Sequence, residues 1–278
     1  MNADTVHESA NVALVNLLAD IMYRGSESAP RGKKVTELLG VSVSFDMSRP
    51  LVTLCARDLG YRFAPAEAAW ILSGDNRVDT IKQYSRFIWE FSDDGHFYSG
   101  AYGPKIVDQL TYACDVLADD PDTRQAVIDV WRPNPRAGRD IPCTLSFQFL
   151  VREGRLHVVQ CMRSSDAWLG YPYDVFNASM LAGYVMLLLR KRKARRRDGL
   201  RLGTHTMHVG SSHVYETNYE LVRQLLASSM DTVFDPKSFD PYEFYGPDDL
   251  IGHLWKLAAQ DFRACTVRWL ADDLELAI

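Results

Sequence analysis

The chain predicts a single α+β domain, a mixed β-sheet backed by helices, and three observations carry that reading. Segments with strand alternation and segments with helical period are mixed along the chain. No linker, internal repeat or low-complexity tract divides its 278 residues. An apolar content of 47% can bury one full core, and 24% charged residues is ordinary for a globular protein. Residues 1–278 are therefore read as one domain.

Residues 9–24 place Leu14, Leu17, Leu18 and Ile21 at helical spacing. Arg24 to Lys34 holds Gly25, Pro30 and Gly32 and reads as a loop. Val41, Val43 and Phe45 alternate with serines, the pattern of a half-buried strand. Pro65 within Ala-Pro-Ala-Glu-Ala-Ala-Trp-Ile-Leu suits a helix with proline in its first turn, stopped near Gly74. Residues 126–131 and 144–151 read as strands, and Glu153-Gly154 turns the chain into a third, residues 156–162. Residues 175–190 make an apolar helix buried on most sides. Residues 206–215 read as a strand and 216–227 as a helix.

Composition narrows the function classes. A net charge of -5 argues against a general nucleic-acid binder. No apolar run approaches the roughly 18–20 residues that span a bilayer, and Met1 to Glu8 has neither a basic nor an apolar leader region. The cysteines Cys55, Cys114, Cys143, Cys161 and Cys265 are odd in number, scattered and without a CxxC pair. That points away from a disulfide framework or a zinc site and toward a reducing cytoplasm. The histidines show no metal-ligand spacing, so no metal is expected.

Several residues carry chemistry. Cys143 follows Pro142 and opens an alternating strand. Alone, such a cysteine is a small buried hydrophobe. A reactive thiolate needs cationic company, for which Arg124, Arg136, Arg139 and Arg163 are candidates. Arg163-Ser164 at a strand end would offer a bidentate cation and a hydroxyl to a phosphate. His213 and Tyr215, two residues apart, reach the same face of a strand. By themselves Glu67 is a solvated helix carboxylate, Trp89 and Tyr102 are core aromatics, and Asp174 is an N-cap before Val175.

Together these segments resemble the thymidylate synthase family, and within it the cytidylate 5-hydroxymethylase branch, over most of residues 31–225. Pro142-Cys143 with Gln148-Phe149 resembles the nucleophile segment. Arg163-Ser164, Asp166, Gly170 and Pro172 resemble the phosphate and folate block, and Ala66-Glu67 through Trp70 to Gly74-Asp75 the helix of the catalytic glutamate. The resemblance implies a homodimer through the sheet face, with Cys143 as nucleophile and Glu67 in the proton relay. It places Arg163, Ser164 and an early-loop arginine (Arg31, or Arg24) on the nucleotide phosphate, with Arg124 supplied across the dimer interface. It places His213 and Tyr215 on the sugar, and Asp166, Gly170 and Trp89 beside the co-substrate, 5,10-methylenetetrahydrofolate. The tail Glu275 to Ile278 loosely resembles the family's closing C-terminus, which would cover the folate.

Thymidylate synthases carry Asn where this chain has Asp174, and His where it has Thr144. Uracil presents an N3–H donor and an O4 acceptor, and cytosine reverses both. An aspartate can accept from N4–H₂ and share a proton with N3. The expected substrate is thus a cytidine 5′-monophosphate, CMP favoured over dCMP by the Ala- and Arg-rich composition and the short early loop. Water rather than hydride would complete the reaction, giving a 5-hydroxymethylcytidylate. Two other readings stand beside it. One is a thymidylate synthase or deoxyuridylate-modifying relative. The other is a non-catalytic nucleotide- or RNA-binding relative using the run Arg190 to Arg197, which at a helix end is otherwise a solvated face.

Overall fold

The computed structural model describes residues 5–85, 87–133, 138–193 and 199–277. The alternating segments assemble one mixed sheet from β1 (Val6–His7), β2 (Ser26–Ser28), β3 (Val35–Asp46), β4 (Val127–Asp129), β5 (Thr144–Arg152), β6 (Arg155–Asp166) and β7 (Arg201–Tyr215). Their order is β1-β3-β7-β6-β5-β4, with β2 paired to β3. The β5–β6 hairpin turns at Glu153-Gly154, both with positive φ (51° and 71°), as a two-residue primed turn requires. β6 and β7 are parallel, so a crossover must join them.

The helices are α1 (Ala10–Arg24), α2 (Phe63–Leu72), α3 (Val78–Ile81), α4 (Tyr102–Asp119), α5 (Tyr171–Lys193), α6 (Tyr219–Ala227), α7 (Pro247–Ala259) and α8 (Ala271–Ala277). The crossover is α5. It is buried along most of its length, including Val175, Phe176, Met180, Leu181, Val185 and Leu189. In α2, eight of ten residues are buried, Glu67 and Phe63 being the two left partly open. A helix apolar on all sides belongs inside a core, and these two lie against each other there. The opposite sheet face carries small and polar groups, with Ser42 Oγ 2.7 Å from His208 Nδ1 and Ser44 Oγ 2.9 Å from Thr206 Oγ1. Among the described residues no helix is long and apolar enough to cross a membrane.

The elements read from periodicity are present, with differences: the strand expected over 126–131 is only Val127–Asp129, and residues 216–218 of the last helix form a 3-10 turn before α6. β3, β6 and β7 extend beyond their apolar patterns, because backbone pairing continues through the polar stretches Val35–Leu38, Arg163–Asp166 and Arg201–Thr204. The early loop contains β2 and a 3-10 turn, Pro30–Gly32. α5 begins at Tyr171, with Pro172 in its first turn, so Asp174 lies inside the helix and donates its own N–H to Gly170 O at 3.0 Å. Asp174 is therefore not an N-cap. α4 and α7 went unpredicted, although Ile106, Leu110, Ala113 and Leu117, and Leu250, Leu254 and Leu257, recur at helical spacing. Gly103-Pro104 opens α4 and masks its start.

Candidate active site

The β5–β6 register sets Thr144 opposite Met162, which brings Cys143 beside Arg163 and Ser164. Ser164 Oγ donates to Cys143 Sγ at 3.7 Å. Arg163 ties down the nucleophile segment, with Nε donating to Pro142 O (2.9 Å) and Nη2 to Ile141 O (3.0 Å). Its Nη1 donates to Ser164 Oγ at 3.1 Å. From the other side Tyr102 Oη accepts the N–H groups of Cys143 (3.2 Å) and Thr144 (3.1 Å). Burial pushes the Cys143 thiol above its ordinary value, against the opposing pull of Arg163, Ser164 and Arg31. The expected cationic activation is thus present but outweighed. Of the four arginines considered as company for Cys143, Arg163 is the one that acts on it among the described residues. Arg139 is taken up by Asp93 and Ser92 O, Arg124 lies elsewhere, and Arg136 is outside the described residues.

Two carboxyls meet behind the thiol. Glu67 projects from α2, where burial raises it to about 7 and the Asn177 amide, donating to Oε2 at 2.7 Å, partly opposes the rise. Its environment is the apolar helix pair, not the solvated surface a lone helix glutamate suggests. Asp174, in the first turn of α5, is pushed well above the usual carboxylate range by burial and then by the charge of Glu67. The hydroxyl of Ser165 pulls the other way. A helix N-terminus favours an ionised carboxylate, yet here desolvation and the neighbouring acid win. Burial and the second acid both favour the protonated form of Asp174. Asp174 borders a cavity of about 10 Å³, lined also by Ile71, Tyr102, Gln160, Leu181 and Asn177, the residue that holds Glu67.

The Asp166–Gly170 turn closes the site on the sheet side. Asp166 Oδ1 accepts from the N–H groups of Trp168 and Leu169, both at 2.9 Å. Burial raises the Asp166 carboxyl, opposed by those N–H groups and by His213, its register partner on β7. Gly170 packs closely here, since a Cβ would stand 3.2 Å from Asp166 O. Arg57 locks the turn, donating to Trp168 O at 2.5 Å and Leu169 O at 3.3 Å, with its guanidinium 5.5 Å from the Trp168 ring. His213 and Tyr215 lie edge to face, 5.2 Å between ring centroids.

The other predicted positions divide. Arg31, exposed in the early turn with a left-handed φ of 55°, is close enough to act on Cys143, whereas Arg24 pairs with Asp20 at 3.2 Å on α1. Arg124 is exposed before β4 at the sheet edge, and the chain's own cluster does not include it. Trp89 stands 55% exposed in a 3-10 turn, Ile88–Phe91. The tail to Ala277 is helical, and Ile278 is outside the described residues. In the basic run, Arg190 donates to Phe244 O at 2.8 Å and Arg192 pairs with Asp115 at 2.8 Å, while residues 194–198 lie outside the described residues. Sequence reasoning missed Asn177, Ser165, Gln160 and Arg57. None has a local pattern that would mark it.

Comparison with known proteins adds two findings. The family model described as thymidylate synthase matches residues 13–236. Over 259 residues the chain is 27% identical to the deoxyuridylate hydroxymethyltransferase of Bacillus phage SP01, covering 84% of this chain and 66% of that protein. The chain therefore spans just under two thirds of that relative's length. α7 and α8 lie beyond the family match, and α7 braces the glutamate helix through Arg62 Nε donating to Ala258 O at 3.1 Å.

Proposed function

Because this chain belongs to the thymidylate synthase family, we propose that it hydroxymethylates C5 of a cytidine 5′-monophosphate, with 5,10-methylenetetrahydrofolate as one-carbon donor. The observation that carries this reading is the buried Asp174 carboxyl beside Glu67, where burial and the second acid favour its protonated form. A protonated acid offers an O–H to cytosine N3 and a carbonyl oxygen to N4–H₂, with no net charge to bury. The folate supplies a one-carbon unit at the oxidation level of formaldehyde and leaves as tetrahydrofolate. Asp166, accepting and partly buried, and the open Trp89 ring fit a pterin's N–H groups and its flat face.

Cys143 adds through sulfur to C6, which makes C5 nucleophilic toward the one-carbon unit. With a thiol held above its ordinary value, this addition needs substrate to deliver the activation, and phosphate bound by Arg163 and Ser164 aligns the ring over the sulfur. Glu67, titrating near 7, relays the C5 proton and orients the water that adds to the exocyclic methylene as Cys143 leaves. His213 and Tyr215 hold the sugar. Arg31 joins the phosphate site from the same chain, and Arg124 completes it across a homodimer packed on the polar sheet face. CMP is favoured over dCMP.

One observation favours a second reading, hydroxymethylation of a uridylate. The phage SP01 relative is named for deoxyuridylate, and a protonated Asp174 can move its proton to the other oxygen and match N3–H and O4. Purified protein supplied with CMP, dCMP, UMP or dUMP and methylenetetrahydrofolate separates the two by mass spectrometry of the products. 5-Hydroxymethylcytidylate with tetrahydrofolate is the expected result. A 5-hydroxymethyluridylate supports the second reading, and thymidylate with dihydrofolate overturns both.

A further inference from the structure

Asn177 lies one helical turn beyond Asp174 on α5, so the two side chains share a face. Around it the wall is apolar, formed by Ile71, Ile106, Phe147 and Leu181. A carboxamide buried in such a place costs free energy unless both its ends are bonded. The nitrogen end is bonded, donating to Glu67 Oε2 at 2.7 Å. The carbonyl oxygen Oδ1 is buried and has no hydrogen-bond partner among the described residues. Asn177 also lines the cavity of about 10 Å³ that Asp174 and the polar groups Gln160 and Tyr102 border. A volume of that order admits one water, and three or four polar neighbours are what a buried water uses.

We propose that Asn177 is a positioning residue that decides which of the two acids carries the proton, binding Glu67 through its amide N–H and Asp174 through a water held at its carbonyl oxygen. The physical basis is an asymmetry between neighbours. Two carboxyls in one dry site do not both ionise, and their titration belongs to the pair. An N–H donor stabilises a carboxylate and not a neutral acid, so the Asn177 amide selects Glu67 as the member that ionises. The proton is left on Asp174, where it becomes the donor aimed at the base. The other groups facing Glu67 and Asp174 fit this assignment. Ser165 opposes the rise of Asp174, Asp166 adds negative charge against its ionisation, and Tyr102 is itself raised by burial and by Asp174. With Leu at position 177, Glu67 would lose its amide donor and the cavity the carbonyl oxygen that holds the water.

This inference rests on the reading that Asp174 faces the base and Glu67 moves protons, so its test is made without substrate. Infrared titration of the protein as it exists, with Glu67→Gln and Asp174→Asn used to assign the two protonated-carboxyl bands, reads each acid directly. In Asn177→Leu, a near-isosteric change suited to an apolar wall, the Glu67 band should persist to higher pH than in the wild type. A melting temperature at or above that of the wild type shows the fold intact. In turnover, kcat at pH 7 should fall about 10- to 100-fold, the worth of one hydrogen bond to a charged group. Its acidic limb should move to higher pH while KM for the nucleotide stays near the wild-type value. A high-resolution crystal structure should show a water bonded to Asn177 Oδ1 and Asp174 in the wild type and none in Asn177→Leu. Superimposable infrared titrations of wild type and Asn177→Leu would overturn the proposal, whatever the nucleotide assays give. Absence of any nucleotide turnover, with the infrared shift present, would overturn the functional reading and leave the proton assignment standing.

Discussion

Glu67→Gln keeps the shape of the side chain and its place beside Asn177 but removes its titration, and the consequence for stability can be worked out. Burial raises the carboxyl from 4.5 to about 7 in the folded chain. An acid with a higher pKa folded than unfolded binds more protons in the native state between those two values. Its contribution is therefore most favourable below pH 4.5, declines as the pH rises toward 7 and is flat above it. At about 1.4 kcal/mol per pH unit, ionising Glu67 costs the fold roughly 3 kcal/mol by pH 8. Glutamine has no such cost. Urea unfolding of wild type and Glu67→Gln at pH 4, 6 and 8 should show the variant gaining by roughly 3 kcal/mol across the range. The same variant should lose about 10²- to 10⁴-fold in nucleotide-dependent release of C5 tritium, the usual worth of an acid–base group. Stability gained at high pH together with activity lost is what a carboxyl retained for chemistry predicts. Wild-type and variant stabilities that run parallel from pH 4 to 8 would refute the burial argument on which the Glu67 assignment depends.

Two further outcomes follow from the same site. Asp174→Asn replaces a group that can put its proton on either oxygen with a fixed donor and acceptor, so the cytidylate-to-uridylate ratio of kcat/KM should fall, by up to about 10⁴-fold where partners are left unpaired. An unchanged ratio, measured with all four nucleotides, would show that Asp174 does not read the base. Alkylation of Cys143 by iodoacetamide, followed on its own peptide by mass spectrometry, should keep accelerating as the pH rises past 9.0, because burial holds the thiol above that ordinary value. A plateau below pH 8 would mean that Arg163, Ser164 and Arg31 outweigh burial.

The half of the site on β5 and β6 was legible because it is local. Glu153-Gly154 closes a tight hairpin that brings Cys143 back toward Arg163-Ser164, and a bulge between Thr144 and Ser146, which the strand pattern does not show, sets the final one-residue register. Asp166, Gly170 and Asp174 follow on the same chain segment within one turn and the start of α5. Glu67 was legible only by resemblance, since an alanine-rich helix with one glutamate carries no signal of its own. Its partner Asn177 was not legible at all. The two are 110 residues apart, and they meet because α2 and α5 are both apolar enough to be packed into one core. Arg57 reaches the Trp168–Leu169 turn across 111 residues and was missed for the same reason.

What the sequence determined by itself is the inventory and its order. The period of the strands, the turn at Glu153-Gly154, the thiol, the two acids and the cations near them all follow from residue types and short spacings. What only the tertiary structure decided is the state of those groups. It raised Cys143 where neighbouring arginines suggested the opposite, moved Asp174 from a helix cap into a buried first turn, and placed Glu67 near 7 against Asn177. The physical reason is that protonation depends on desolvation and on charges a few ångströms away. Both are properties of neighbours in space, and in this fold those neighbours come from helices and strands far apart in the chain.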